Sequence, residues 1–256
     1  MKSTGITKSL TQEEVNFYRE NGFVRIRQVL SADEVDRYRD AALDAVEKIK
    51  SYHHDDILNQ RVNLWRESEA MRSLTLHPKL AHLAGQLSGV PLRLWHDQLL
   101  IKDPGKSAAT EFHQDQPYWP HKGGCSALTA WVALVDVPVE RGCLSFIPGT
   151  HRIDDLPRHE LSDARSLFRL RPELAWEPRV TLPLRAGDCT FHHGRTAHYA
   201  HPNQTGEPRI AHAVIYTDAQ TIYTGQPHVV TDPLSLEPGQ VLDDGHFPLT
   251  DTLVSA

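Results

Sequence analysis

The sequence predicts an all-β core of the jelly-roll type with helices packed on its outside. Two capping boxes near the amino terminus, Thr11 with Glu14 and Ser31 with Glu34, each begin an amphipathic helix. Later the pattern changes to short strands separated by turns, and the 17 Pro and 15 Gly are concentrated after residue 100. Because helices precede strands instead of alternating with them, we expect antiparallel sheets.

Local patterns place the individual elements. The first helix is expected to end at Asn21-Gly22, the second to run to about Ile49, and a third to run from Pro78 to near Gly89. Alternating or continuous apolar residues predict strands at Phe23–Ile26, Pro91–Ile101, Leu128–Val137, Cys143–Ile147, Val180–Leu184, Thr190–His193 and Ile210–Thr217. Alternation along the second of these strands puts Leu92, Leu94, His96, Gln98 and Leu100 on one face. A double-stranded β-helix fits this number of strands.

Length and composition indicate one globular domain, residues 1–256. At 28.9 kDa, with 39% hydrophobic and 23% charged residues, the chain can bury a sizeable core. We expect residues 1–90 to form a mainly helical buttress, 91–217 the jelly-roll core and 218–256 a carboxy-terminal extension. The polar segment 154–179 is interpreted as an insertion over the mouth of the barrel. The extension either covers the same pocket or mediates self-association.

Charge and cysteine usage exclude several classes of protein. A net charge of −6 argues against nucleic-acid binding. The three cysteines, Cys125, Cys143 and Cys189, lack the spacing of a disulfide framework. No apolar signal core follows Met1, and no apolar run approaches the length of a membrane span. We therefore expect a cytoplasmic monomer or homodimer with no nucleic-acid or membrane partner.

The most informative stretch contains His113-Gln114-Asp115. In an extended strand, residues two apart point to the same side, so this imidazole and carboxylate could bind one metal ion. A third ligand must come from elsewhere, and the segment 191–203 offers several. Two His and one carboxylate with three open positions form the site of non-haem Fe(II) oxygenases. A hydrogen-bonded pair at a strand end explains the triplet alone equally well. The candidates for the third ligand are His192, His193, His198 and His201.

Several further motifs, in order and spacing, resemble the phytanoyl-CoA dioxygenase family of Fe(II)/2-oxoglutarate oxygenases. The resemblance extends from about Thr11 to about Thr217. It implies a cupin-like double-stranded β-helix and an enzyme that uses Fe(II), 2-oxoglutarate and O2. The motifs are His113-x-Asp115, Trp131, Gly142 to His151, Gly187-Asp188, His198-x-x-His201-x-Asn203 and Arg209.

The resemblance also implies roles for individual residues. His113, Asp115 and His198 would be the iron ligands and the catalytic residues, because the family places its distal His five residues before Asn and eleven before Arg, as Asn203 and Arg209 stand here. His192 and His193 are interpreted as a strand end, although one of them could point into the barrel. At Ala200 relatives more often have Ser, so one hydroxyl contact to the co-substrate is in doubt.

The resemblance assigns a binding role to four further positions. Arg209 would grip the distal carboxylate of 2-oxoglutarate, although a surface Arg in a strand is the simpler interpretation. Trp131 would line the co-substrate pocket or merely pack in the core. Gln98 and Lys102 would contact 2-oxoglutarate, although Lys102 also suits an ordinary turn. Separately, the candidates for the substrate pocket are Tyr118, Trp119, His121 and His201.

The implied reaction is hydroxylation of an unactivated C–H bond in a small molecule, with release of succinate and CO2. Asp115 argues against halogenation, because halogenating relatives have Ala or Gly there. Desaturation, cyclisation and epoxidation stay open, and the substrate is expected to be a secondary metabolite or a small catabolic compound.

Two other classes of function fit part of the pattern. A Zn- or Mn-dependent cupin isomerase or hydrolase would use the same trio but would need neither Arg209 nor Trp131. A metal- or 2-oxoglutarate-binding module without turnover would keep the trio but oxidise nothing.

Overall fold

The computed structural model describes residues 9–54, 57–105, 107–123, 126–154 and 156–251. Within these ranges the helices are α1 (Gln12–Asn21), α2 (Ala32–Lys48), α3 (Glu69–Thr75), α4 (Pro78–Ser88) and α5 (Ser166–Leu170). The strands are β1 (Phe23–Ile26), β2 (His53–His54), β3 (Asn59–Val62), β4 (Leu92–Lys102), β5 (Thr110–His113), β6 (His121–Lys122), β7 (Ala127–Ala133), β8 (Leu144–Phe146), β9 (Val180–Leu182), β10 (Cys189–His193), β11 (His198–Ala200), β12 (Arg209–Asp218) and β13 (Ile222–Tyr223).

Two antiparallel sheets form the jelly roll. The larger has the order β1-β10-β7-β12-β4-β3-β2, and the smaller has the order β5-β11-β8-β9. A short third pairing joins β13 to β6. The prediction of an all-β core with helices outside it is confirmed. In the part of the chain that the structure describes, no helix has the length and apolar character needed to cross a membrane.

The amino-terminal helices begin and end where the local sequence predicts. The Thr11 hydroxyl accepts from the backbone N–H of Glu14, whose carboxylate accepts from the N–H of Thr11. Gly22 ends α1 with a φ of 84°. A Cβ there would lie 2.5 Å from side-chain atoms of His151 and Thr196, so the close approach of this turn to the β-core requires glycine.

The larger sheet separates two apolar cores. Its outer face packs against the helices, where Tyr38, Leu83 and Phe191 are almost fully buried. Its inner face packs against the smaller sheet and the carboxy-terminal segment. Because both faces are covered, the central strands are buried along their whole length. The inner core includes Trp95, Trp131, Phe146, Ala211 and Phe247.

A β-bulge in β4 decides which side chains reach the interior. His96 pairs with Ile215 but Leu94 pairs with the next residue, Tyr216, so Trp95 is an extra residue in the ladder. Side chains at positions 92 and 94 pack with the helices, whereas those at 96, 98 and 100 line the interior. The sequence prediction of one shared face was wrong for the first two, because an added residue reverses the alternation.

A fully buried polar cluster lies between the larger sheet and the helices. One Asp97 oxygen accepts hydrogen bonds from the N–H of Trp65 at 2.9 Å and from the Thr75 hydroxyl at 2.6 Å. His212 Nε2 lies 2.8 Å from the same hydroxyl. Burial raises the pKa of Asp97 to about 7 and lowers the pKa of His212 to about 3. The cluster therefore favours the uncharged form of both groups.

We expect Asp97→Asn to gain stability over the wild type as the pH rises. Since the folded-state pKa of Asp97 is raised, its contribution to stability is complete below about pH 4 and is lost as the pH rises through about 7. Asparagine does not ionise. Between about pH 5 and 8, the free energy of unfolding of Asp97→Asn should therefore rise by roughly 1–4 kcal/mol relative to that of the wild type. Urea unfolding at several pH values measures this. Asp40→Asn, which alters an exposed carboxylate of α2, is the control; parallel pH curves for Asp97→Asn and wild type would contradict the prediction.

Candidate active site

Three potential metal ligands meet where the two sheets enclose a cavity. His113 ends β5, and His198 stands directly opposite it at the start of β11. Asp115 Oδ1 lies 3.3 Å from His113 Nε2 and 3.6 Å from His198 Nε2. The ligand atoms of the three side chains all lie within 4.8 Å of one another. Two imidazoles and one carboxylate are the donor set that suits Fe(II), so the residues present fit that ion.

Asp115 does not lie in the strand that carries His113. β5 ends at His113, and Asp115 has helical backbone angles (φ −74°, ψ −42°) at the start of a single 3-10 turn, Gln116–Tyr118. The prediction that both side chains share one face of an extended strand was therefore wrong. The chain turns toward the interior after His113, and Pro117 favours that turn because its φ is fixed.

Backbone carbonyls fix the orientation of both imidazoles. His113 Nδ1 lies 2.7 Å from the Glu111 carbonyl oxygen, and His198 Nδ1 lies 3.0 Å from that of Thr196. A carbonyl only accepts, so Nδ1 carries the proton in each ring and the lone pair of Nε2 faces Asp115. Such outer hydrogen bonds preset the tautomer that a metal ligand needs.

The protonation states also suit a divalent cation. Burial would raise the pKa of Asp115, but the surrounding imidazoles of His198, His113 and His192 outweigh it and hold this pKa well below the usual range. Burial lowers the pKa of His198 to about 3. Near neutral pH the trio therefore offers an ionised carboxylate and a neutral His198, the forms that bind metal.

Arg209, at the start of β12, presents a buried cation to the same cavity. It is 1% exposed, and no described residue accepts a hydrogen bond from its Nε or Nη1. Its guanidinium lies over the Trp131 ring, 5.2 Å from the centroid. Burial lowers its pKa to about 9. An unpaired buried guanidinium is costly and is well suited to an anion, so Arg209 fits a carboxylate of 2-oxoglutarate.

The other two positions expected to contact 2-oxoglutarate differ from each other. Gln98 lines the cavity, with its amide nitrogen 2.9 Å from His96 Nε2. Lys102 is fully buried, and its ammonium group donates to the carbonyls of Ile57 and Ala108. Lys102 is not among the residues that line the cavity. Gln98 therefore lies at the site, whereas Lys102 links two loops through its hydrogen bonds.

The cavity has a volume of about 680 Å³, within the size range of ligand pockets. Its lining includes the metal trio, Arg209 and Trp131, together with Tyr118 and Trp119, two of the residues expected in the substrate pocket. Residues 158–162 of the predicted insertion and 227–229 of the carboxy-terminal extension complete the rim. Residues of both segments thus line the cavity.

Hydrogen bonds fasten the insertion over the chain segment that carries the metal ligands. The Tyr118 hydroxyl contacts the backbone of His159, accepting from its N–H at 3.1 Å and donating to its carbonyl at 2.5 Å. The Arg158 guanidinium donates to the carbonyls of Pro117 and Tyr118. A bulky ligand would have to enter beside this segment or displace it.

Two predicted pocket residues lie elsewhere. His121 packs edge-on against Trp95, with 4.1 Å between ring centroids, and lines a smaller neighbouring cavity of about 230 Å³. His201 Nε2 lies 2.8 Å from the Ser145 hydroxyl, outside the lining of the main cavity.

Other motif residues shape the backbone around the site. The Asn203 amide donates to the carbonyls of Lys102 and Glu207, which closes the loop before β12. Gly142 has a φ of 86°, and a Cβ there would lie 2.9 Å from the His201 carbonyl oxygen and 3.8 Å from Arg209 Nε. A side chain at position 142 would therefore clash with the backbone at His201.

His192, one of the four candidates for the third ligand, lies near the trio without belonging to it. Interpreted as part of a strand end, it lies instead with its Nε2 3.6 Å from Asp115 Oδ2. Its position in β10 could have indicated this, because period-two alternation puts Thr190 and His192 on the face opposite Phe191.

A model of the phytanoyl-CoA dioxygenase (PhyH) family matches residues 18–211. The chain belongs to this family. Peroxisomal phytanoyl-CoA dioxygenase of Mus musculus is 26% identical over 220 residues, 77% of this chain and 65% of the mouse protein. The Homo sapiens enzyme is 23% identical, with 84% of this chain and 70% of the human protein matched. The chain thus spans slightly less than two thirds of the mouse relative.

Two solved structures are more similar in sequence to this chain than the mouse and human enzymes are. The non-heme alpha ketoglutarate dependent carbocyclase SnoK from nogalamycin biosynthesis is 40% identical, with a TM-score of 0.85, covering 94% of this chain and 96% of its own. The epimerase SnoN, solved with Fe3+, alpha ketoglutarate and nogalamycin RO, is 38% identical, with a TM-score of 0.82, covering 93% and 98%. This PhyH-family chain is an Fe(II)/2-oxoglutarate-dependent oxygenase, and the isomerase, hydrolase and binding-module alternatives are not favoured.

Proposed function

We propose that this enzyme oxidises a C–H bond of a bulky polycyclic natural product, using iron bound by His113, Asp115 and His198 and 2-oxoglutarate bound by Arg209. The observation that carries the proposal is the Arg209 guanidinium, which is buried and lines the same cavity as the trio. Its Nε and Nη1 have no acceptor among the residues that the structure describes. A cupin isomerase or hydrolase would have no use for a cation held there at such cost.

The protein's own groups have distinct tasks in this reaction. Bound Fe(II), with 2-oxoglutarate and O2, supplies the oxidising power and yields succinate and CO2. The trio fixes which side of the ion stays open. Arg209 pairs with the distal carboxylate and orients the co-substrate, while the Trp131 ring holds the guanidinium from below.

The size of the cavity and the two similar structures support the substrate class. A cavity of about 680 Å³ holds more than a co-substrate. SnoK and SnoN belong to nogalamycin biosynthesis or bind a nogalamycin compound. Hydroxylation is the outcome that the sequence predicts. The carbocyclase and epimerase favour a second outcome, in which the C–H bond is broken but no oxygen is inserted.

We further propose that the enzyme is a cytoplasmic monomer or homodimer. Buried, unpaired Cys143 and Cys189 are consistent with a reducing compartment.

Turnover with candidate substrates tests the proposal. The enzyme is incubated with Fe(II), 2-oxoglutarate, O2 and either nogalamycin-type polycyclic compounds or phytanoyl-CoA. We expect only the polycyclic compounds to stimulate succinate formation above the substrate-free rate. Mass spectrometry then separates the outcomes: gain of one oxygen for hydroxylation, loss of two hydrogens for ring closure, and no mass change for epimerisation. Stimulation by phytanoyl-CoA alone would contradict the proposed substrate class.

A further inference from the structure

The two carboxylate oxygens of Asp115 face different groups. Oδ1 lies nearest the Nε2 atoms of His113 and His198, at 3.3 and 3.6 Å. Oδ2 lies 3.3 Å from the Thr129 hydroxyl and 3.6 Å from His192 Nε2. We infer that His192 is a positioning residue, which holds Oδ2 so that Asp115 offers only Oδ1 to the iron. This inference rests on the proposed iron site.

The surroundings of His192 leave it little else to bind. The side chain is 1% exposed, and neither ring nitrogen has a hydrogen-bond partner among the described residues. Its ring packs near Phe146, with 5.5 Å between centroids, and Phe146 stacks on Phe23 at 4.5 Å. An imidazole N–H buried against phenyl rings needs an acceptor. The Asp115 carboxylate is the charged acceptor closest to it.

Strand register makes Thr129 and His192 converge on one oxygen. His192 of β10 pairs directly with Thr129 of β7, so both side chains point to the same face of the larger sheet. The next residue, His193, must point to the other face, and its Nδ1 accepts from the N–H of Arg195 at 3.0 Å. Of these two adjacent histidines, only His192 is placed to act on the iron site.

Holding Oδ2 matters because a free carboxylate can bind a metal through both oxygens. The proposed reaction needs three open positions, two for 2-oxoglutarate and one for O2. A carboxylate that swung to bind through Oδ2 as well would occupy one of them. The Thr129 hydroxyl, which donates to Oδ2, and the nearby Nε2 of His192 oppose that movement. The 3.6 Å separation is long for a hydrogen bond, and such contacts commonly shorten when the ligand binds.

The test measures Co(II) binding to the metal-free protein, so it does not depend on turnover. His192→Phe keeps a flat ring of similar size but removes the donor, and His192→Gln restores an N–H donor. We expect His192→Phe to weaken Co(II) binding roughly 10–100-fold, the usual effect of losing an outer hydrogen bond to a ligand. Its visible Co(II) spectrum should also shift, because the coordination number changes. His192→Gln should recover most of the affinity and the wild-type spectrum.

Two further variants separate positioning from packing. His193→Phe, a matched change at the adjacent histidine, should leave Co(II) affinity and spectrum unchanged. Thr129→Val removes the other contact to Oδ2 and should shift the spectrum in the same direction as His192→Phe, which keeps the inference testable even where His192→Phe does not fold. Circular dichroism of each metal-free variant checks folding.

Three results would overturn the inference. One is wild-type Co(II) affinity and spectrum in a folded His192→Phe. Another is an equal loss in the Phe and Gln variants, since a packing role would not be rescued by a donor. The third is a wild-type protein that binds no Co(II), which removes the proposed metal site itself. Weak turnover with full Co(II) binding in the wild type would instead count against the proposed substrate class and not against the role of His192.

Discussion

His198→Ala is expected to abolish formation of the Fe(II)–2-oxoglutarate complex and all turnover. The substitution leaves His113 and Asp115 with no third ligand, while the Thr196 carbonyl loses only a hydrogen-bond donor. Losing a direct ligand should weaken metal binding by roughly 100-fold or more, beyond the usual effect of an outer contact. Anaerobic titration with Fe(II) and then 2-oxoglutarate measures this through the weak visible metal-to-ligand charge-transfer band.

His201→Ala is the matched control for this titration. His201 lies three residues away in the same motif, but its ring contacts Ser145 and not the cavity. The His201→Ala variant should therefore show the charge-transfer band at the same concentration of Fe(II) as the wild type. An unchanged band in folded His198→Ala would remove His198 from the proposed ligand set and return His192, His193 and His201 to consideration.

Arg209→Met is expected to raise the concentration of 2-oxoglutarate needed for half-maximal turnover by roughly 100-fold or more. Removing one partner of a buried, hydrogen-bonded charge pair typically costs about 2–5 kcal/mol of binding free energy. The same variant should be more stable than wild type without 2-oxoglutarate, because the guanidinium is then buried and its Nε and Nη1 have no acceptor among the described residues. Thermal unfolding with and without 2-oxoglutarate tests both effects: wild type should gain stability on binding, and the variant should gain little.

Arg93→Met is the control for Arg209→Met, because Arg93 is also buried but all three of its guanidinium nitrogens donate hydrogen bonds. Its guanidinium donates to the carbonyls of Ala219 and Phe247 and pairs with Asp244. Its loss should lower stability and leave the 2-oxoglutarate requirement unchanged. If Arg209→Met behaved in this way, Arg209 would be a structural residue and the co-substrate would bind elsewhere.

The sequence by itself determined the elements that depend on near neighbours. Both capping boxes and the glycine after α1 act within a few residues, so α1 and α2 lie within a residue or two of their predicted ends. Seven strands of the two sheets were predicted within about four residues for the same reason, because alternation and turn residues are local. The short strands β2, β3 and β11 were not predicted. The motif spacing also identified the family, and with it iron and 2-oxoglutarate.

Tertiary structure alone decided which of these side chains meet. The bulge at Trp95 depends on how β4 pairs with β12, so the faces of Leu92 and Leu94 could not be read from alternation. Asp115 reaches the cavity through a turn that packs against Gly194, not through an extended strand. Lys102 donates hydrogen bonds to loop carbonyls and does not reach the cavity. His192 lies beside Asp115 because β10 pairs with β7. The physical reason is common to all four: the partners are tens of residues apart in the chain, and their contacts depend on strand register and packing, which no local pattern specifies.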